Sequence, residues 1–309
     1  MPDAAMHHHF GREVFSSLNT DIQRELIEAP YTFAQYGPDP WFTYRPWQRR
    51  EGRGRRMHTT KTGAFLLALA RRARDGGARR EMFSYLAGFL CHYALDSTTH
   101  PYIIWQTTET WPTKRAHRDL EHALDLLLLQ REGITEGNHR LTDAHFPKLK
   151  LPSSMRNDLD AAYREVYGWE GAWSALNKCF PRYRMLFRIM EMPRSLLTLL
   201  TDLFPTDGMK SLPHARCGFL NRDVENLEHQ AWHEPYSREI TSTESFPDLY
   251  EKAKAEAVRM ITDCYAYLRG NITEEELAKS LGNRSYLSGL DVEDPRNQMV
   301  RSLRPPKKP

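Results

Sequence analysis

The chain has 309 residues, with 43 lysines and arginines against 40 aspartates and glutamates, and a formal net charge of +3. This charge is too small to indicate nucleic-acid binding. The four cysteines are scattered and contain no Cys-x-x-Cys pair, so the sequence suggests neither a disulfide framework nor a zinc site built from thiolates. Hydrophobic residues make up 40% of the chain, enough for one large core, and no apolar run reaches the ~18 residues of a membrane-spanning helix. Because the N-terminus does not resemble a signal peptide, we expect a protein of the reducing cytoplasm.

The first predicted helix begins at three consecutive histidines, His7, His8 and His9. His7 lies in line with Phe10 and Val14 at helical spacing, which predicts that it faces the core. His8 and His9 point elsewhere on any helix. If one of the three binds a metal, we therefore expect it to be His7.

An aromatic and proline-rich loop follows at residues 29–47, where seven aromatic residues surround one carboxylate, Asp39. The prolines around Asp39 rule out a helix interior, so we expect Asp39 on a rigid loop at the edge of a site. The alternative is a proline-rich wrap of the core. The aromatic residues, including Trp41, are candidates for contacting substrate, and aromatic walls can hold a quaternary ammonium group by cation–π contact.

Residues 49–56 contain five arginines and two glycines, and their lack of apolar periodicity predicts a mobile loop. A solvated charge run is one interpretation. The other is a lid facing phosphate or a membrane, in which Arg53 and Arg55 bind substrate. His58 then introduces an apolar helix predicted over residues 59–70.

The next predicted helix is apolar over residues 86–94 and carries His92, Asp96 and His100 at successive four-residue steps. Positions four apart lie on one face of a helix, so these groups form a single row. A buried carboxylate is usually paired or bound to metal, because leaving it without a partner costs several kcal/mol, roughly. Pro101 is expected to end the helix, which would place the row near a loop. The alternative is that these three residues are polar side chains with hydrogen-bond partners at an interface between two helices.

A second pair, His117 and Glu121, lies four residues apart near the start of the apolar segment 116–129. Imidazole nitrogen and carboxylate oxygen are the ligands that zinc accepts when thiolates are absent. Two neighbouring helices that each carry such a pair favour metal binding over a seam of satisfied polar residues.

The C-terminal half predicts mainly helices, at residues 159–167, 173–179, 183–191, 196–204 and 271–281. His229 and His233 are also four apart, but the polar surroundings and Pro235 favour a loop or helix end that wraps the core. Ser245 is the expected N-cap of a long helix reaching residue 268. From residue 291 the charged, proline-rich sequence predicts a disordered tail.

Taken in order, eight residues form a recognisable set: His7, Asp39, His58, His92, Asp96, His100, His117 and Glu121. The set resembles the ligand pattern of the zinc-dependent phospholipase C family, whose all-helical fold is shared with single-strand-specific zinc nucleases. The resemblance implies an all-α fold of the leaderless, cytoplasmic branch. A single multi-helix domain would span residues 1–290, with a zinc cluster between helices, long irregular loops and a C-terminal helical part, followed by the disordered tail at 291–309.

The resemblance also implies a reaction. Two or three zinc ions would be held by these residues, with Asp96 placed to bridge two of them, and the pKa of a zinc-bound water would fall toward ~7 and supply hydroxide. Asp39 would orient or deprotonate that water. The expected enzyme is a phospholipase C-like phosphodiesterase acting on a phospholipid or small phosphodiester, with transient contact to a membrane surface.

Two alternatives remain at this stage. A zinc nuclease of the same fold would need a base-stacking platform, for which the aromatic residues at 31–47 are the only candidates. A metal-binding protein without catalysis is the other, since secreted members of the family also use an N-terminal tryptophan as a ligand and this chain begins Met1-Pro2.

Overall fold

A computed structural model describes residues 4–45, 52–110, 116–131, 133, 151–190 and 222–302. The α-helices in chain order are α1 (Ala4–Ser17), α2 (Thr20–Glu25), α3 (Glu28–Ala34), α4 (Arg53–Thr59), α5 (Thr62–Asp75), α6 (Arg79–Trp105), α7 (Ala116–Arg131), α8 (Ser153–Tyr167), α9 (Ala172–Met190), α10 (Phe246–Leu268), α11 (Glu274–Leu281) and α12 (Asn297–Ser302). A 3₁₀ helix (Asp39–Thr43) follows α3, and a π-helical turn (Gln106–Thr110) extends α6. The predicted mostly helical architecture is confirmed.

One small hairpin was not expected. Strand β1 (Trp232–Glu234) pairs antiparallel with β2 (Ser237–Ser242). Residues 226–235 were predicted to form a loop or helix end, and His233 instead lies in β1. The tight turn between Glu234 and Ser237 is closed by backbone pairing, which the polar sequence did not suggest.

Helix α6 is the centre of the fold. It packs against α10, α3, α5 and α1, and every residue from Met82 to Ser97 is buried. A helix that is apolar around most of its circumference has to be enclosed by other elements, because no face of it is suited to water. The predicted buried helix is confirmed, and the His92–Asp96–His100 row therefore lies deep in the protein.

Pro101 does not end this helix, contrary to the prediction. It lies inside α6, which continues to Trp105. A proline removes the amide that would bond to the carbonyl four residues earlier, here that of Ser97, at a cost of about 3 kcal/mol or more. Gly289 packs closely against this carbonyl oxygen, which a Cβ at that position would approach to 2.6 Å. Enclosure of α6 by its neighbours outweighs the cost, so the row lies within a continuous helix rather than at a helix end.

Two other predicted helix boundaries are also wrong, because packing against neighbouring elements again outweighs the local sequence signal. Pro181 lies inside α9, which joins the two helices predicted at 173–179 and 183–191. The arginine-rich segment predicted as a mobile loop is helical from Arg53 onward, in α4, and His58 is near the end of that helix rather than at the start of the next. Residues 49–51 and the helix predicted at 196–204 lie outside the described residues.

The C-terminal elements begin at clear caps. Ser245 and Asp248 form a reciprocal capping box at the start of α10, as predicted for Ser245. The predicted onset of disorder at residue 291 is not supported, since the amide of Val292 donates to the carbonyl of Asn283 at 2.8 Å and α12 follows. The side chain of Asn297 donates to the carbonyl of Asp291 at 2.7 Å, a tertiary contact that composition does not reveal. Residues 303–309 lie outside the described part of the chain.

The described cysteines Cys91, Cys179 and Cys264 are free and buried. Among the described helices, none combines the length and the hydropathy needed to span a bilayer.

Candidate metal centre

Helix α6 presents His92, Asp96 and His100, all fully buried, to side chains from four other elements. Those elements are α1 with His7, the 3₁₀ helix with Asp39, α4 with His58, and α7 with His117 and Glu121. The structure thus brings together all eight residues that the sequence singled out, in three groups of potential metal ligands.

The first group is His7, His92 and Asp96, whose ligand atoms all lie within 4.8 Å of one another. The imidazoles of His7 and His92 stack with centroids 4.0 Å apart, and His7 Nε2 is 3.4 Å from Asp96 Oδ1. By contrast, the His8 side chain contacts Gln35 and the His9 side chain contacts Glu13. Of the three consecutive histidines, only His7 therefore joins this group, as the sequence predicted.

The second group is Asp39, His58 and His92. His58 Nε2 lies 3.2 Å from Asp39 Oδ1, and His92 Nε2 lies 3.6 Å from the same oxygen. All three side chains are buried. His92 belongs to both groups, so the first two groups are contiguous.

The third group is His100, His117 and Glu121. Glu121 Oε1 lies 3.0 Å from His117 Nε2 and 3.6 Å from His100 Nε2, and the two imidazoles are nearly parallel. The His117 side chain is 42% exposed, whereas His100 and Glu121 are buried. His117 is therefore the most exposed of the eight candidate ligands.

Asp96 lies between the groups and turns its two oxygens to different histidines. Oδ1 faces His7 at 3.4 Å, whereas Oδ2 lies 3.1 Å from His92 Nε2 and 3.7 Å from His58 Nε2. A carboxylate placed in this way would be able to bridge two cations.

Three of the histidines are held in one tautomer by the backbone. The Nδ1 atoms of His58, His92 and His100 lie at 2.7, 3.0 and 2.8 Å from the carbonyl oxygens of Gly54, Gln35 and Tyr286. A carbonyl can only accept, so each Nδ1 donates a proton and each Nε2 keeps its lone pair for a ligand. The backbone thereby fixes the ring orientations that metal binding needs.

The protonation states suit a cation as well. Burial lowers the pKa of His100 to about 3 and also lowers the pKa of His7. Burial opposes a charge on His92, but the carboxylates of Asp96 and Asp39 outweigh it and raise its pKa. Burial likewise opposes ionisation of Asp96, yet its histidine neighbours hold the pKa of this carboxyl well below its usual range. A site of mostly neutral imidazoles around an ionised carboxylate matches the donors that zinc takes.

Several buried polar atoms here have no hydrogen-bond partner among the described residues: both His7 ring nitrogens, Asp39 Oδ1, His92 Nε2, both Asp96 carboxylate oxygens and His100 Nε2. Leaving one buried polar atom unsatisfied costs about 1–3 kcal/mol, so a cluster of them calls for a ligand. Positive ions among these nitrogen and oxygen donors would satisfy them together. The residues present therefore fit zinc.

The predicted substrate-binding residues are placed differently. Trp41 is fully buried and its indole donates to the Tyr163 hydroxyl at 3.1 Å, which corrects its assignment as a substrate contact. Arg53 lies over the Trp41 ring, and Arg53 and Arg55 are partly exposed on α4. The neighbouring Phe42, which the sequence did not single out, is 43% exposed and packs against the His58 ring.

Sequence reasoning also missed residues that support the cluster from a distance. The Tyr183 hydroxyl donates to Asp39 Oδ2 at 3.2 Å. Asp125 accepts from the first amides of α1, those of Ala5 and Met6, at 3.0 and 3.1 Å. Asp125 follows Glu121 by four residues on α7, so the helical spacing could have indicated it, whereas nothing local links Tyr183 to Asp39.

Comparison with known proteins gives one match. The sequence profile of a family described as zinc dependent phospholipase C matches residues 6–172, more than half of the chain. That span contains all eight residues of the cluster. No curated protein and no solved structure matches the sequence significantly.

Proposed function

Since the chain belongs to the zinc-dependent phospholipase C family, a family of phosphodiesterases, we propose that it hydrolyses the phosphodiester bond of a phospholipid. The observation that carries the proposal is the position of Asp96. Its two oxygens face different histidines in a buried space where neither has a hydrogen-bond partner among the described residues. A structural carboxylate would have such partners, whereas a carboxylate between two cations would not need them.

We assign the metal ligands by group. His7 and Asp96 would hold one ion, and Asp39, His58 and His92 a second, with Asp96 shared between these two ions; His100, His117 and Glu121 would hold a third. Zinc, when bound, supplies a Lewis acid for phosphoryl oxygens and lowers the pKa of a coordinated water.

Asp39 is the proposed catalytic residue. Its Oδ1 faces His58 and His92, while its Oδ2 accepts from Tyr183 and keeps a second lone pair. The Tyr183 hydrogen bond and the 3₁₀ helix fix the carboxylate orientation, so Oδ2 can accept a proton from the attacking water.

The nuclease alternative receives no support from the described aromatic residues of the loop. Tyr31, Phe33, Tyr36 and Trp41 are at most 5% exposed, so they cannot stack on unpaired bases. Of the other two described aromatic residues in the loop, Phe42 is 43% exposed and Tyr44 is half-buried with Arg53 over its ring. The cytoplasmic location and the membrane contact stay predictions from the sequence.

The test is hydrolysis of short-chain phospholipids and of single-stranded DNA by the zinc-loaded protein. Asp39→Asn should lower phospholipid hydrolysis by about 10²–10⁴, the usual effect of losing a general base, with a near-normal melting temperature in zinc. Asp21→Asn, at an exposed position on α2, is the matched control and should be fully active. Hydrolysis of DNA but of no phospholipid, or full activity of Asp39→Asn, would overturn the proposal.

A further inference from the structure

Two guanidinium groups share one aromatic ring beside the metal centre. Arg53 Cζ lies 4.3 Å from the centroid of the Tyr44 ring, and Arg45 Cζ lies 5.4 Å from the same centroid. Arg45 is exposed and Arg53 is partly exposed. Two cations therefore lie close together at the surface.

Arg53 fills an aromatic cage formed by Trp41, Tyr44 and Trp169. Its Cζ is 4.9 Å from the Trp41 centroid and 4.5 Å from that of Trp169. Rings around a cation at these distances are what a quaternary ammonium ligand needs. Because the protein's own guanidinium occupies the cage, the idea that these aromatic walls hold a quaternary ammonium group is not supported.

Neither guanidinium is neutralised by an acidic side chain within the described ranges, and Arg53 Nη1 is buried without a hydrogen-bond partner there. Arg74 is different, since it lies 4.4 Å from the Tyr267 centroid but also pairs with Asp75. Burial lowers the pKa of Arg53 from its usual value, and the nearby positive charge of Arg45 acts in the same direction. The pair therefore carries two positive charges with no acidic partner in the described part of the chain.

The pair is joined through short stretches of chain to two residues of the second group, Asp39 and His58. Tyr44 directly follows the 3₁₀ helix that begins at Asp39, and Arg53 begins the short helix that carries His58. Phe42 connects them, since its ring packs against the backbone of Gly54 and lies 5.0 Å from the His58 ring. A substrate with its phosphodiester at the metal centre would extend its headgroup toward this pair.

Resting on the function proposed above, we propose that Arg45 and Arg53 select phospholipids whose headgroup carries an anionic group beyond the scissile phosphodiester. A guanidinium binds phosphate or carboxylate oxygens through paired N–H donors, and Arg45 is exposed and Arg53 partly exposed, neither with an acidic partner among the described residues. A choline headgroup would meet a filled cage and two like charges, which disfavours it.

The first test compares hydrolysis of dihexanoyl phosphatidylcholine and dihexanoyl phosphatidylinositol 4-phosphate, both kept monomeric so that no charged surface contributes. We expect kcat/KM to favour the anionic lipid by about tenfold, and Arg45→Gln or Arg53→Gln to reduce that ratio about two- to fivefold, the effect of losing one partly exposed ion pair. Arg53→Lys should keep most of the preference. Arg74→Gln is the matched control and should keep all of it.

The second test does not depend on turnover. Calorimetry on the zinc-loaded protein compares phosphoglycolate with phosphocholine, which share a phosphate and differ in the charge at the other end. Phosphoglycolate should bind more tightly, and Arg45→Gln, at an exposed position that the core does not need, should narrow the difference.

Equal binding of the two ligands, or equal hydrolysis of the two lipids, would overturn the inference. So would a preference that appears only on anionic vesicles, because the pair would then contact a membrane surface. If neither lipid is hydrolysed but phosphoglycolate is still preferred, the proposed function fails while the assignment of Arg45 and Arg53 as an anion-selective pair stands.

Discussion

Gly37 lies directly against the imidazole of His92, so closely that a Cβ at position 37 would come within 2.4 Å of two ring carbons. Gly37 also has φ of +48°, a conformation that other residues adopt only with strain. The turn before Asp39 and the ligand row on α6 are therefore fitted to each other, which brings Asp39 close to His92, a residue more than fifty positions later in the chain.

Replacing Gly37 by alanine should displace the His92 ring and lower zinc content. Gly168→Ala is a matched control, since Gly168 has φ of +70° but nothing within 4 Å of an added Cβ. Both variants should lose about 1–2 kcal/mol of stability from backbone strain, and only Gly37→Ala should also lose metal. Equal zinc content in the two purified proteins would show that the contact does not position His92.

Tyr183→Phe removes the hydroxyl that donates to Asp39 Oδ2. A hydrogen bond to a charged group contributes about 1.5–3 kcal/mol, so activity should fall by at least tenfold while zinc content stays the same. Tyr31→Phe removes a buried hydroxyl that donates to the Gly11 carbonyl instead and serves as the control. If both variants hydrolyse the substrate equally fast, Tyr183 does not orient the catalytic carboxylate.

Asp125→Asn should weaken the attachment of α1, because the carboxylate accepts from the amides of Ala5 and Met6 in the first turn of the helix that carries His7. We expect a loss of about 1–2 kcal/mol in stability, the range for a helix cap, and weaker binding of the zinc ion assigned to His7. Ser245→Ala removes the cap of α10 and should cost similar stability without changing the metal. Titration with a competing chelator measures the difference, and equal zinc affinity in the two variants would contradict the role of Asp125.

The metal-free protein should lose stability as the pH falls from about 6.5, the ordinary histidine pKa, toward 3. Burial lowers the pKa of His100 to about 3, so over this range the unfolded chain binds a proton at His100 that the folded chain does not. His92 acts in the opposite direction because its pKa is raised. His100→Gln should therefore make the acid-side decline in unfolding free energy shallower, and chemical denaturation at a series of pH values measures it. An unchanged slope would mean that His100 is not neutral in the folded protein.

The parts of the site that could be predicted from the sequence are those within single helices. Four-residue spacing places His92 next to Asp96, and His117 next to Glu121, whatever surrounds those helices. The alignment of His7 with Phe10 and Val14 likewise separates it from its neighbours. These relations follow from helix geometry alone.

The parts that could not be predicted depend on packing between distant segments. Nothing near Tyr183 in the sequence indicates that it reaches Asp39. The continuation of α6 through Pro101 depends on enclosure by other helices, and α4 packs through Arg53 on aromatic rings and through buried Met57 and His58 despite its arginine-rich sequence. Propensity and periodicity describe the isolated segment, and tertiary contacts override them here.

The central claim, that the buried cluster holds zinc, is tested most directly by metal analysis of the purified, zinc-supplemented protein beside Asp96→Asn. We predict two or three zinc ions per chain in the parent and the loss of at least one in Asp96→Asn, because a bridging carboxylate balances two cations. Asp21→Asn, at an exposed position, should match the parent. Less than about one zinc ion per folded parent chain, or full zinc content in Asp96→Asn, would contradict this account, since a two-metal site requires both ions and the bridge.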